Sequence, residues 1–148
     1  MTALPLDSKL KNHGFGLLSV LLAVCVHFQA MQGAAVLDDH AVFLENPLVQ
    51  DDFDLQNIFS SNVFGGRPGF EKAGGYRPLT ILSFRLGPSD SLAVQRILNI
   101  LFHALSVWML WLLARLLGLK RLAAGVAAMV FAVHPIHVDA IVPLNNRS

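Results

Sequence analysis

The 148-residue chain has few charged residues, one cysteine and one tyrosine. Charged residues make up 14% of the chain, whereas a soluble domain carries about 25%. Hydrophobic residues make up 54%, and this balance indicates a membrane protein. The single cysteine, Cys25, excludes an internal disulfide, and its place in an apolar run predicts a small buried residue. Basic residues form no patch with aromatic residues, which argues against nucleic-acid binding.

Three uncharged apolar runs account for the membrane character, and they cover residues 15–37, 97–114 and 122–138. A helix needs about 20 apolar residues to cross a bilayer, and the length of the first run favours a retained helix over a cleaved secretory signal. We predict an all-α membrane protein with three transmembrane helices, at residues 15–37, 94–117 and 122–142. The remaining segments are an N-terminal segment 1–14, a loop 38–93, a turn 118–121 and an outer end 143–148.

The positions of the basic residues predict the orientation of these helices. Basic residues precede the first run and follow the second: Lys9, Lys11, Arg115, Lys120 and Arg121. The positive-inside rule places both groups in the cytoplasm, so the N-terminus is predicted to be cytoplasmic and the loop 38–93 extracytoplasmic. The third helix then ends on the same outer side as this loop.

The first apolar run stops at two adjacent carboxylates, Asp38 and Asp39, which are the main candidate site. Sequence neighbours point to different sides in a helix and in an extended chain, so one carboxylate is expected in a cavity. The other would cap a helix, pair with a cation or meet water. A carboxylate in a cavity suits a general base that takes a proton from a hydroxyl. The alternative is an ordinary water-facing end of a helix.

The predicted topology brings His134 and His137 to the same outer face as the acidic pair. Two imidazoles at this spacing also suit a metal ion. No recognisable closed ligand pattern accompanies them, and Pro135 disturbs the helix between them. A divalent metal is therefore possible at these residues but is not favoured.

The loop 38–93 is acidic overall and is divided into short pieces by proline and glycine. Residues 55–64 place apolar side chains near helical spacing, which predicts a short helix along the membrane surface. One of three preceding aspartates would cap it: Asp51, Asp52 or Asp54.

Polar and small residues follow helical spacing in the second and third helices. Four polar residues of the second helix share one face: Arg96, Asn99, His103 and Ser106. Interhelical hydrogen bonding is the favoured interpretation for Asn99 and Ser106, whereas for His103 a functional role is equally favoured. In the third helix, a small-residue face lets a neighbouring helix approach closely, and it consists of Ala124, Ala128 and Ala132.

Six blocks, in this order, carry a family resemblance. They are Asp38-Asp39-His40-Ala41-Val42, Glu45-Asn46-Pro47-Leu48-Val49, Ile58-Phe59-Ser60-Ser61-Asn62-Val63-Phe64, Gly75-Tyr76-Arg77-Pro78-Leu79-Thr80, Asn99-Ile100-Leu101-Phe102-His103-Ala104-Leu105 and Val130-Phe131-Ala132-Val133-His134-Pro135-Ile136-His137. As an ordered set they resemble the polytopic membrane O-mannosyltransferases with tetratricopeptide repeats, of the GT-C class, and their bacterial relatives.

The resemblance implies the N-terminal three-helix part of a GT-C-like fold. It implies a glycosyltransferase that moves a sugar, commonly mannose, from a polyprenyl-phosphate lipid to a Ser or Thr hydroxyl of a protein acceptor. The reaction would take place on the extracytoplasmic side of the endoplasmic reticulum membrane or of a bacterial inner membrane. Relatives have further membrane helices and a repeat domain that this sequence lacks, so an N-terminal portion that is inactive alone is expected.

The resemblance also assigns roles to residues. The family's acidic pair falls on Asp38 and Asp39, one of which would be the base, and Arg77 would stabilise the departing lipid phosphate because a guanidinium matches phosphate oxygens. The remaining candidates would shape the site: His103, His134 and His137.

Two other functions stay open from the residues alone. The chain could be a non-catalytic assembly module whose acidic loop docks an outer partner. It could also be a metal- or proton-handling membrane protein that uses the three histidines and the aspartates.

Overall fold

The computed structural model describes residues 6–36, 38–70 and 75–146, and the side chains of these except residues 6–12 and 145. The predicted segments 1–14 and 143–148 therefore lie partly outside the described residues, as does the last residue of the predicted helix 15–37. The described residues are mainly helical and form no strand, which confirms the all-α class. The α-helices are α1 (Leu6–His27), α2 (Pro47–Gln50), α3 (Leu55–Ser60), α4 (Pro78–Phe84), α5 (Leu92–Leu116), α6 (Arg121–Val133) and α7 (Val138–Ile141). Short 3-10 helices cover Phe28–Gln32, Pro135–His137 and Leu144–Asn146, and a π-helical turn covers His40–Leu44.

Within the described residues, two helical segments are long and apolar enough to cross a membrane. They are His13–Gln32, with a mean hydropathy of 1.8, and Leu92–Leu116, with a mean hydropathy of 1.9. A third crossing requires α6 and Pro135–Ile141 together, and these are bent by 47° relative to each other. The bend follows from Pro135, which has no backbone N–H and cannot continue a helix.

The chain divides into two compact units, and the division falls inside α5. Unit 1 comprises Met1–Phe28 and Ile100–His137. Unit 2 comprises Gln29–Asn99 and Val138–Ser148.

In unit 1, α1 packs against α6 through small residues. Four alanines at this contact are completely buried: Ala23, Ala124, Ala128 and Ala132. A Cβ atom added at Gly125 would lie 2.8 Å from the Cβ of Phe15, so the two helices approach too closely for a larger side chain there. The predicted small-residue face of the third helix is thereby confirmed.

The expectation that Cys25 is buried is wrong, because this side chain is exposed. The buried face of α1 follows a spacing of four residues through Ser19, Ala23 and His27. Position 25 lies on the other side of the helix.

Unit 2 folds around an apolar core to which the loop contributes most residues. The core consists of Val42, Phe43, Leu48, Val49, Ile58, Val63, Ile81, Phe84 and Leu144. The buried Asn46 side chain joins two parts of the loop, since its Nδ2 donates to the carbonyls of Val42 and Val63 at 2.8 and 2.7 Å. Its Oδ1 accepts from the backbone N–H of Leu48 and caps α2.

The short helix predicted in the loop is α3, and its cap is Asp54. The carboxylate of Asp54 accepts a hydrogen bond from the backbone N–H of Asn57 at 3.0 Å. The helix ends at Ser60, earlier than the apolar pattern predicts, and a turn follows at residues 63–66.

Candidate functional site

Asp39 and Arg96 form an ion pair in unit 2, and both side chains are fully buried. Arg96 Nη2 lies 3.6 Å from Asp39 Oδ2. The backbone N–H of Val36 donates to Oδ2 at 3.0 Å, and that of Leu144 donates to Oδ1 at 2.7 Å. Both carboxylate oxygens are therefore occupied by structural partners, and Asp39 is the member of the acidic pair that pairs with a cation.

Arg96 also donates to three backbone carbonyls, those of Gly33, Ala34 and Val142. The bonds to Ala34 and Val142 measure 2.5 and 3.2 Å. The guanidinium thus supplies hydrogen bonds to two carbonyls that follow the end of the helical segment at Gln32.

Asp38 has a different environment from its neighbour, because its side chain is exposed. Its backbone carbonyl accepts from the N–H of Val42 at 2.8 Å, at the start of the π-helical turn. The structure therefore separates the two acids into a buried ion-paired residue and an exposed one.

Arg77 lies on the surface of unit 2, directly before α4. Pro78 occupies the first position of that helix, where its missing N–H removes no helix hydrogen bond. Tyr76 is 63% exposed, whereas Pro78 is half-buried. Arg77 is exposed as well, on the surface that an external anion would approach.

Three imidazoles of unit 1 meet in one place, and we call His27, His103 and His137 the histidine cluster. The ring centroids of His103 and His137 are 4.6 Å apart, and those of His27 and His103 are 5.1 Å apart. His134 lies at the edge, with its centroid 6.2 Å from that of His137. The structure thus brings together the three predicted histidines.

The helix break at Pro135 explains why the histidine cluster forms. The carbonyl of Ala132 would bond the N–H of Ile136 in an unbroken helix, but that N–H donates to His134 Nδ1 at 3.3 Å. The Ala132 carbonyl is instead bonded by the Nε2 atoms of His27 and His103, at 3.3 and 3.1 Å. Two side chains therefore cap the broken end of α6.

Sequence reasoning missed two residues of these sites, His27 and Arg96. His27 lies in the first apolar run, where the pattern indicates no role for it, and Arg96 lies on the predicted polar face of the second helix, for which the sequence indicates no partner. A polar group inside a membrane helix is costly unless it is paired, and this signal could have identified both.

The sequence favours interhelical hydrogen bonds for Asn99 and Ser106 of α5. This prediction is confirmed for Asn99 and wrong for Ser106. Asn99 donates to the carbonyl of Ile141 at 2.9 Å, which is a bond between helices. Ser106 is exposed and donates to the carbonyl of Phe102 in its own helix at 2.9 Å. A serine inside a helix can donate to the carbonyl four residues earlier, so helical spacing alone does not distinguish a bond within the helix from a bond between helices.

The described residues contain no group of three or more His, Cys, Asp or Glu side chains that could hold a metal ion. The acidic pair belongs to unit 2 and the histidine cluster to unit 1. A common pocket that joins them stays a prediction.

The chain is similar in sequence to several proteins that are named protein O-mannosyl-transferases. The chain is 32% identical over 133 residues to protein O-mannosyl-transferase Tmtc1 of Drosophila melanogaster, covering 86% of the chain and 15% of the relative. It is 31% identical over 150 residues to protein O-mannosyl-transferase TMTC3 of Mus musculus, covering 97% and 16%. It is 35% identical over 118 residues to TMTC3 of Homo sapiens, covering 76% and 13%. The chain spans less than one fifth of the length of these relatives. No family model and no solved structure matches it.

Proposed function

Because this chain belongs to the TMTC family of protein O-mannosyl-transferases, we propose that it supplies part of the active site of a membrane glycosyltransferase. The similarity to named transferases over 86% and 97% of the chain is the observation that carries this proposal. The enzyme transfers mannose from a polyprenyl-phosphate lipid to a Ser or Thr hydroxyl of a protein. The site is of the GT-C type and faces the extracytoplasmic side, and the N-terminus is cytoplasmic.

In the proposed reaction, the acceptor hydroxyl attacks the anomeric carbon of the sugar. The bond from this carbon to the phosphate oxygen breaks, and the polyprenyl phosphate leaves with the electron pair. The configuration at the anomeric carbon is inverted. A carboxylate of the chain receives the hydroxyl proton, as a general base does.

Asp38 is the proposed base, because its exposed side chain can reach an acceptor. Asp39 cannot take this role without breaking its ion pair with Arg96 and its bonds to two backbone N–H groups. Asp39 is therefore a positioning residue, which holds the segment that carries Asp38.

Arg77 is the proposed contact for the lipid phosphate. Arg77 is an exposed residue directly before α4, and a planar guanidinium forms paired hydrogen bonds with phosphate oxygens. The charge that develops on the departing phosphate would be stabilised there.

The proposed role of His103, His134 and His137 is to shape the site. His103 fixes the broken end of α6 through its bond to the Ala132 carbonyl. This break determines where the segment with the other two histidines begins.

A chimera tests the proposal. The matched segment of Drosophila Tmtc1 is replaced by this chain, and mannose transfer to a protein acceptor is measured in membranes. We expect Asp38→Asn to lower the turnover by about 100-fold to 10,000-fold, the usual contribution of a general base, without lowering the amount of folded protein. Asp52→Asn, which changes another exposed carboxylate of unit 2, is the matched control and should leave transfer unchanged.

Unchanged transfer after replacement of both Asp38 and Asp39 by asparagine would contradict the enzymatic role and favour an assembly module. If Asp39→Asn abolished transfer in folded protein while Asp38→Asn had no effect, the two roles would be reversed.

A further inference from the structure

Unit 1 contains a cavity of about 300 Å³ where α5 ends and α6 begins. It is lined by His13, Trp111, Leu112, Arg115, Leu116 and Arg121. His13 precedes His27 by fourteen residues on α1, about 21 Å along a helix. The cavity is therefore separate from the histidine cluster, because it contacts the N-terminal half of α1 and the cluster contacts its last residue.

Two guanidinium groups make this cavity strongly cationic. Arg115 is in the last turn of α5, and Arg121 is the first residue of α6. No Asp or Glu occurs in the sequence between Ser91 and Val138. Among the ion pairs of the described residues, none involves either arginine. Arg115 donates to the backbone carbonyl of Leu119, and among the described side chains its charge has no carboxylate partner.

The start of α6 adds to the attraction for an anion. Lys120 is the N-cap residue and provides no side-chain hydrogen bond to the first turn. The backbone N–H groups at the start of a helix of this length favour a negatively charged ligand. Arg121 places a positive side chain at the same point.

The cavity wall also contains polar atoms that lack partners. Trp111 is only 2% exposed, and its Nε1 has no hydrogen-bond partner within the described residues. Nδ1 of His13 also has no hydrogen-bond partner within the described residues. The His13 ring packs against the indole of Trp111 with a centroid distance of 5.2 Å. Buried polar groups are normally hydrogen-bonded. Both atoms have almost no accessible surface, so a ligand in the cavity reaches them only after a ring moves.

We propose that this cavity binds a phosphate group, carried by an acidic phospholipid headgroup or by a soluble phosphate compound. Arg115 and Arg121 bind the phosphate oxygens, and a ligand oxygen satisfies Nε1 of Trp111 after a small shift of the ring. The cavity lies at the ends of two membrane-spanning segments, where headgroup phosphates are found and where tryptophan is common. The site is independent of the proposed transferase reaction.

Intrinsic fluorescence provides a direct test, because the chain has two tryptophans and both lie at this place. Trp108 stacks on Trp111 with a centroid distance of 5.1 Å. The purified chain in detergent micelles is titrated with phosphatidic acid, with phosphatidylcholine and with inorganic phosphate. We expect a saturable change with phosphatidic acid and none with phosphatidylcholine. Competition by inorganic phosphate would assign the site to a soluble phosphate, and absence of competition would assign it to a headgroup.

The matched variants are Arg115→Gln, Arg121→Gln and the control Lys120→Gln, which removes a charge from the same turn but not from the cavity wall. We expect the first two to raise the Kd for phosphatidic acid at least fivefold and the control to leave it within twofold. An equal rise in all three variants would indicate a diffuse surface attraction and overturn the proposal. Absence of a saturable response to both phosphate probes would also overturn it.

Trp111→Phe keeps an aromatic ring and removes the unpartnered Nε1. This variant tests the site if Arg115→Gln or Arg121→Gln does not fold. Binding of phosphatidic acid is then measured by native mass spectrometry. Weaker retention of the lipid than in the unsubstituted chain supports the site, and unchanged retention contradicts it.

Discussion

The replacement of Asp39 by asparagine tests the buried ion pair that organises unit 2. The substitution keeps the size of the side chain but removes its charge, which leaves the buried guanidinium of Arg96 without a carboxylate. Removal of one partner from a buried pair costs about 3 to 5 kcal/mol. The amide also has one acceptor oxygen in place of two, so one of the N–H groups of Val36 and Leu144 loses its partner. We therefore expect Asp39→Asn to lower the free energy of unfolding by an amount near the upper end of that range.

Equilibrium unfolding of the chain in mixed micelles, followed by far-UV circular dichroism, measures this loss. The matched control is Asp38→Asn, which makes the same chemical change at the exposed neighbour. Surface substitutions usually change stability by less than about 0.5 kcal/mol. Because about 1.4 kcal/mol corresponds to tenfold in an equilibrium constant, the two variants should differ more than 100-fold in their unfolding equilibria.

A double-mutant cycle separates the pair from its surroundings. The variant Asp39→Asn/Arg96→Gln no longer contains a buried unpaired charge, so its free energy of unfolding should fall by less than the sum of the two single losses. Equal destabilisation by Asp39→Asn and Asp38→Asn, or strict additivity in the cycle, would refute the assignment of the ion pair as the centre of unit 2.

Other substitutions test the packing in both units by the same unfolding measurement. Gly16→Ala should destabilise the chain by about 1 to 3 kcal/mol, because a Cβ there would lie 2.6 Å from the indole ring of Trp111. The control Gly14→Ala has open space around it and should be neutral or stabilising. His27→Ala and His103→Ala should each lower the free energy of unfolding by about 1 kcal/mol. Both rings bond the Ala132 carbonyl, so additive losses in the double variant would contradict a shared cap. Asn46→Ala should cost about 1 to 3 kcal/mol through lost bonds to two parts of the loop, and a loss below 0.5 kcal/mol would show that these bonds contribute little.

Features that depend on neighbouring residues could be predicted from the sequence. The apolar runs determine the membrane class because length and hydropathy are local properties, and Pro135 breaks the third helix because it lacks an N–H. The sequence also predicts an aspartate cap for the helix of the loop, but it leaves Asp51, Asp52 and Asp54 as candidates, and the structure identifies Asp54. The alanines of α6 form a buried face because their spacing matches the helical turn.

Long-range contacts were decided by the tertiary structure alone. The sequence presents Asp38 and Asp39 as equivalent, and they differ because Arg96, 57 positions after Asp39, lies beside the second carboxylate. His27 reaches His103 because α1 packs against α6 and the helix break frees the Ala132 carbonyl for both rings. The sequence by itself therefore determined which residues are apolar, capped or interrupted. The fold decided which polar groups are buried together, because a polar side chain in a membrane segment pairs with whatever partner the packing brings to it.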